Sequence, residues 1–234
     1  MKSRSIEIFC DFDGTITVGD TVDLLLESLA TDQWRAFERL WERGEIGSRE
    51  CMAAQIPLIQ GGWEAIERVL AGVEVDRTFA TFVSWARGRT VPLSIVSDGL
   101  DRVIRYLLSK NSINVDRIWS NHLVEDGDTL SLEFPPRGSR FVCASGHCKC
   151  QILDAARKNL TVIIGDGRSD FCWAANADVV FAKDKLLTYC QSEGIACLPY
   201  ESFLDVRLKL EELLDTQPVD DFAPQPVWQP IVAT

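Results

Sequence analysis

Apolar residues along this chain follow two rhythms. Short, nearly unbroken apolar runs at Ile6–Cys10, Val91–Val96, Thr161–Ile164, Val179–Ala182 and Ile195–Leu198 read as buried strands. Pro92 falls near the start of its run, where a strand tolerates it. From Asp20 to about Gly72 no strand pattern occurs. Leu24, Leu25 and Leu29, then Trp34, Phe37, Leu40 and Trp41, then Trp63, Ile66, Val69 and Leu70 recur there at the spacing of one helix face. Gly44, Gly47 and the Gly61-Gly62 pair break this pattern into separate helices. Further helices are predicted over Asp76–Gly88, Asp101–Lys110 and from Lys149 to about Asn159. His122–Glu125 and Thr129–Phe134 alternate about Asp126-Gly127, which predicts a hairpin.

Strands alternating with helices imply an α/β fold, a mainly parallel Rossmann-like sheet covered on both faces. The long helical stretch reads as a module inserted after the first strand. The expected organisation is an α/β core from residues 1–16 and 76–214, with a hairpin and Cys-rich loop at about 121–150, a helical cap at 17–75, and a Pro-rich tail at 215–234. Pro218, Pro224, Pro226 and Pro230 end the periodic pattern in that tail. Phe222 and Trp228 are its candidate anchors, onto the body or onto a second copy, so a homodimer is among the expected assemblies.

Charge and composition narrow the function. With 35 acidic against 24 basic residues the net charge is −11, which excludes a general nucleic-acid binder because there is no surplus of cations to release counterions. A small anionic substrate needs only one local cationic pocket and stays open. No apolar run is long enough for a signal-peptide core or a membrane span, so a cytoplasmic protein without membrane contact is expected. The 8 cysteines are spread over a chain of ordinary core size and read as reduced thiols.

Three polar clusters share one topological position, directly after an apolar strand: Asp11/Asp13, Ser97/Asp98 and Asp166/Asp170. In an open parallel sheet those strand ends lie along one edge, where ligands bind. A lone Asp after a strand is ordinarily a cap or turn residue. Several in one crevice repel one another, and a hard divalent cation such as Mg²⁺ relieves that repulsion through oxygen ligands. Lys149, at the start of its helix, is a further source of positive charge. Asp20 is either a substrate contact or the N-cap of the helix that follows it. Arg49 is either a substrate contact or a solvated cap residue. Cys143, His147, Cys148 and Cys150 offer zinc-ligand chemistry, but four candidates within eight residues, two of them adjacent, fit a packed or redox-active loop better.

Asp11-Phe-Asp-Gly-Thr15, Ser97, Lys149 and Gly165-Asp-Gly-Arg-Ser-Asp170 resemble, in order, the four signatures of the haloacid dehalogenase superfamily of phosphatases. The helical insert resembles the cap of its phosphoserine-phosphatase-like branch. The resemblance implies Mg²⁺-dependent hydrolysis of a small phosphorylated metabolite. Asp11 is then the nucleophile, Asp13 the general acid and base, and Lys149 the catalytic cation. It further implies Ser97, Asp98 and the backbone at Gly14 as phosphate contacts, with Asp20 and Arg49 as candidates toward the rest of the substrate. Asp11, Asp166, Asp170 and the main-chain carbonyl of Asp13 are the implied metal ligands. Asn121-His122, the hairpin, the Pro135/Cys143–Cys150 loop around Lys149 and Phe181-Ala-Lys-Asp184 through Leu198-Pro-Tyr200 carry a further resemblance, over about residues 5 to 213, to the methionine-salvage phosphatases acting on 2-hydroxy-3-keto-5-methylthiopentenyl-1-phosphate. The cysteines before Lys149 are similar to those of phosphoethanolamine/phosphocholine phosphatases. Ser97-Asp98-Gly99 stands where many relatives have Ser-Gly-Gly, and Cys150 where Pro or Gly often follows the Lys. A binding protein without turnover is the rival of another class. The acid at Asp13, which a pure binder does not need, speaks against it.

Overall fold

A computed structural model describes residues 5–127, 129–141 and 143–216, so Phe222, Trp228 and most of the Pro-rich tail lie outside the described residues. Seven strands form one sheet: β1 (Ile6–Cys10), β2 (Leu93–Leu100), β3 (Arg117–Asp126), β4 (Thr129–Glu133), β5 (Leu160–Gly165), β6 (Val179–Ala182) and β7 (Leu198–Pro199). Their order is β4-β3-β2-β1-β5-β6-β7, with β3/β4 the antiparallel pair and the other pairs parallel. The chain runs outward from β1 on one side and later fills the other, which makes the end of β1 a topological switch point.

The insert after β1 carries four helices, α1 (Thr21–Leu29), α2 (Trp34–Glu42), α3 (Ser48–Gln55) and α4 (Gly62–Leu70), with a 3-10 turn at Ile56–Leu58. The insert leaves and returns through adjacent segments, since Thr17 bridges Val75 and the Asp76 amide donates to the Ile16 carbonyl at 2.8 Å. The remaining helices are α5 (Phe79–Gly88), α6 (Asp101–Lys110), α7 (Lys149–Ala155), α8 (Phe171–Ala174), α9 (Asp184–Glu193) and α10 (Phe203–Thr216).

The unbroken apolar runs of β1 and β5 have a direct cause. Alternate side chains enter different cores: Ile8, Val162 and Ile164 join a cluster with the insert, α5, α6 and α10, whereas Phe9 and Ile163 join one built on α7, α8 and α9. A strand buried on both faces has no polar side to alternate with.

Several boundaries differ from the sequence expectation. β2 extends past Val96 to Leu100, with a register shift against β3 between those residues. Ser97-Asp98-Gly99 therefore lies inside an irregular strand rather than after it. The β3 segment Arg117–Asn121 carries no apolar run, because Arg117–Ser120 are alternately exposed and half-buried and the buried Asn121 is polar, so periodicity does not predict it. β7 shrinks to Leu198–Pro199, at the sheet edge where a proline costs no ladder bond. α5 begins at Phe79 rather than Asp76, α7 stops at Ala155 short of Asn159, and α10 continues to Thr216, past the expected start of the tail.

Candidate active site

The ends of β1, β2 and β5 meet at the switch point. Asp11 follows β1 directly, and its amide donates to the Ile164 carbonyl of β5 at 2.9 Å, so backbone pairing fixes where its side chain emerges. One carboxylate oxygen accepts from the Phe12 amide at 2.8 Å. The other faces Lys149 Nζ at 2.8 Å and accepts from Ser169 Oγ at 3.3 Å. Gly14 (φ +70°) turns the chain sharply, and a Cβ there would meet Asp166 Oδ2 at 2.4 Å, so only glycine lets the loop lie on that carboxylate.

Asp11, Asp166 and Asp170 each present a carboxylate oxygen within 4.8 Å of the others. Thr15 Oγ1 donates to Asp166 at 2.5 Å. Asp170 is fully buried, with one oxygen accepting from Lys149 Nζ at 2.7 Å and the other from the Asp166 and Gly167 amides at 3.2 Å. Burial and then the Asp170 carboxylate push Asp11 well above the usual carboxylate range, against the pull of Lys149. Burial pushes Asp166 up to about 6, with the Thr15 hydroxyl opposing. Burial also works against the Lys149 ammonium, but Asp11 and Asp170 outweigh it and keep it protonated. Lys149 pairs with Asp11 and Asp170, and Lys183 adds a second positive charge that acts on Asp166, so three carboxylates still outnumber the ammoniums. A hard divalent ion with oxygen ligands supplies what is missing, and these residues therefore fit Mg²⁺.

Asp13 sits between the start of α1 and the β2 irregularity. Its Oδ1 accepts from the Thr21 amide at 2.9 Å and from Thr21 Oγ1 at 2.5 Å, while Gly99 leaves space for Oδ2. Its carboxylate faces the insert rather than the acidic trio. Burial first, and the Asp20 carboxylate second, push it up to about 7. Ser97 is buried and its Oγ accepts from the Gly99 amide at 2.9 Å.

Other predicted site residues are engaged elsewhere. Asp20 caps α1, accepting from the Val22 and Asp23 amides at 2.8 and 3.0 Å, so the capping role is the one its side chain performs. Asp98, expected among the phosphate contacts, accepts from Ser48 Oγ at 2.5 Å and the His147 amide at 2.6 Å, while Asn121 Nδ2 donates to its carbonyl at 2.5 Å. Asp98 thereby ties α3, β3 and the Cys-rich loop together, and its carboxylate is occupied. Arg49, expected toward substrate, stacks its guanidinium over Phe134 at 4.6 Å. His122 pairs with Asp101 at 2.8 Å, a structural contact.

The site also uses residues that no sequence pattern assigned a role. Ser169 bridges Lys149 and Asp11, Thr15 orients Asp166, and Thr21 orients Asp13. Arg168 reaches the Trp41 and Glu42 carbonyls of α2 at 3.4 Å and lies over the Trp41 ring, joining the insert to the Asp166–Asp170 turn. Ser169 and Thr15 lie inside the recognised motifs, so their position was visible although their partners were not.

The model of the haloacid dehalogenase-like hydrolase family matches residues 8–175. The chain belongs to the haloacid dehalogenase-like hydrolase family. It is thus an enzyme of the hydrolase class, with the family's α/β fold. It is 30% identical over 211 residues to the 2-hydroxy-3-keto-5-methylthiopentenyl-1-phosphate phosphatase of Geobacillus kaustophilus (strain HTA426), covering 87% of this chain and 94% of that protein. It is 27% identical over 219 residues to the protein of the same name from Bacillus cereus (strain AH820), covering 91% and 99%. Among solved structures, a substrate-bound phosphoserine phosphatase superposes with a TM-score of 0.66 at 19% identity, covering 92% of this chain and 99% of that one. At that identity the likeness is one of fold. Among the described residues no helix is long and apolar enough to cross a membrane.

Proposed function

We propose that this hydrolase is a phosphomonoesterase acting on a small phosphorylated metabolite, with 2-hydroxy-3-keto-5-methylthiopentenyl-1-phosphate as the first candidate. The convergence of Asp11, Asp166, Asp170 and Lys149 at one sheet edge carries the reading. The curated relatives, matched over most of their length, favour the named substrate.

The Asp11 carboxylate attacks phosphorus, the ester P–O bond breaks, and an aspartyl-phosphate forms. Lys149 faces the attacked phosphoryl group and offsets its charge. Mg²⁺ held by Asp11, Asp166 and Asp170 would supply further charge stabilisation to the phosphoryl oxygens. Asp13, with a pKa near 7, gives its proton to the leaving oxygen. Asp13 then takes a proton from the water that attacks the aspartyl-phosphate, which frees inorganic phosphate and restores Asp11. The insert covers the site through Arg168, Ser48 and Thr21 and keeps bulk water away from the phosphoryl group.

The test is a panel of phosphorylated metabolites that includes the enol phosphate, phosphoserine, phosphocholine and phosphoethanolamine, assayed with Mg²⁺ and with EDTA. Released phosphate should be greatest for the enol phosphate, vanish in EDTA, and fall on the order of 10³-fold or more in Asp11→Asn. A different best substrate replaces the candidate. Tight binding without release by the wild type supports a binding protein instead.

A further inference from the structure

A second cluster of ligand side chains lies behind the acidic one. Cys143, Cys148 and Cys150 bring their sulfurs within 4.8 Å of one another, and Cys143 Sγ lies 3.5 Å from Cys150 Sγ. A fourth thiol arrives from a distant part of the chain: Cys172 interacts with Cys143 and Cys150, although it lies outside the trio whose sulfurs are within 4.8 Å of one another, and its Sγ faces the Ser169 carbonyl at 3.9 Å. Cys148 and Cys150 are buried, and Cys143 and Cys172 are half-buried. His147, the nearby imidazole in the sequence, is not part of the group; its ring bonds to the Ser120 backbone.

We propose that Cys143, Cys148, Cys150 and Cys172 form a thiolate site for one zinc ion. Four sulfurs around zinc at about 2.3 Å lie about 3.8 Å apart; Cys143 and Cys150 are already at 3.5 Å, and Cys172 completes the set by turning from the Ser169 carbonyl toward the trio. Sulfur ligands choose a borderline or soft ion over Mg²⁺, so the two clusters do not compete for one metal. The objection that the loop ligands crowd into eight residues loses its force once the loop supplies three sulfurs and α8 the fourth. Zinc binding releases the thiol protons to solvent and forms four Zn–S bonds, with no redox change.

The site has a consequence for the chemistry next to it. Lys149 lies between Cys148 and Cys150 in sequence, and Cys172 follows Asp170 by two residues. An ion held by all four sulfurs crosslinks the loop that supplies the ammonium to the turn that supplies its carboxylate partner. Nothing in this inference requires the phosphatase reading.

Purified full-length protein, reduced and saturated with Mg²⁺, should contain one equivalent of zinc, and X-ray absorption at the zinc edge should show sulfur neighbours at about 2.3 Å. Cobalt(II) alone added to the zinc-free chain should give the intense visible bands and near-ultraviolet sulfur charge transfer of a tetrahedral thiolate site. Cys172→Ser should weaken zinc binding by more than the roughly 10–100-fold that loss of an outer-shell partner costs, while Cys197→Ser leaves it unchanged. A zinc edge showing only oxygen neighbours at about 2.0–2.2 Å would place the ion at the carboxylates and overturn the proposal. So would zinc-free protein with only a pale octahedral cobalt spectrum, or loss of two titratable thiols to a disulfide. The X-ray absorption measurement uses the wild-type chain and does not depend on whether any variant folds.

Discussion

The acidic cluster and the thiol cluster share the loop that ends at Cys150 and the segment 166–172, with Asp11 of the first added from the end of β1, yet they obey different physics. Asp11, Asp166 and Asp170 are held around Lys149, and burial makes every added negative charge expensive. Cys143, Cys148 and Cys150 gather with Cys172 beside them, and hydrogen bonds from Cys143 and Cys150 hold Cys172 well below the usual thiol range, so this cluster eases the loss of protons that a metal requires. Without metal, burial raises the carboxylates of the first cluster, whereas the thiols of the second stabilise one another by hydrogen bonds. One substitution should therefore have very different consequences in the two places.

The largest effect is expected for Lys149→Met. It leaves the buried carboxylates of Asp11 and Asp170 without their ammonium and should cost about 3–5 kcal/mol of stability. Turnover should fall by about 10²–10³-fold. A single Cys→Ser change in the zinc-free thiol cluster, by contrast, should cost about 1–2 kcal/mol, within the ordinary range for a point mutation. Equal losses of thermal stability in the two clusters would erase the contrast.

Asp13→Asn should reveal the strain through pH. The folded-state pKa of about 7 lies above the ordinary 3.8, so the native chain keeps a proton that the unfolded chain has lost. Metal-free wild type should lose stability as pH rises from about 4 to about 7, and the loss should be complete above that window. The Asn variant should lose the Asp13 share of this slope, with the shares of Asp11 and Asp166 remaining, and melt a few degrees higher at alkaline pH, at about 2–4 °C per kcal/mol. Parallel melting curves from acid to alkaline pH would show that Asp13 is not strained. The variant should also lose more activity toward an alkyl phosphate than toward an aryl phosphate with an easy leaving group.

The smallest effect marks the boundary of the acidic cluster. Asp20→Ala removes the α1 cap, which should cost about 1 kcal/mol and leave KM within about twofold. A rise of about tenfold in KM would move Asp20 from capping into substrate contact.

Much of the acidic site was legible because it is local. Asp11, Asp13, Asp166 and Asp170 each sit within a few residues of an apolar run, and parallel strands must end together. Lys149 could be read only as a cation near a helix start, since its partners Asp11 and Asp170 come from other elements. Asp98 and Arg49 show the limit in the other direction. Ser48 and His147 engage the Asp98 carboxylate and Phe134 engages the Arg49 guanidinium, and none of these partners is near its residue in sequence. The polar half of β3 was missed for a similar reason: hydrogen bonding to β2, rather than an apolar run, makes it a strand.

By itself the sequence determined the strand and helix rhythms, the insertion after β1, and the edge at which the acids gather. Each follows from periodicity and from the rule that parallel strands share an end. Tertiary structure alone decided which oxygen meets which ammonium, which aspartates are spent on caps and ties, and that Cys172 joins three cysteines of a distant loop. Such pairings depend on side-chain direction and on distances through folded space, and separation along the chain carries no information about either.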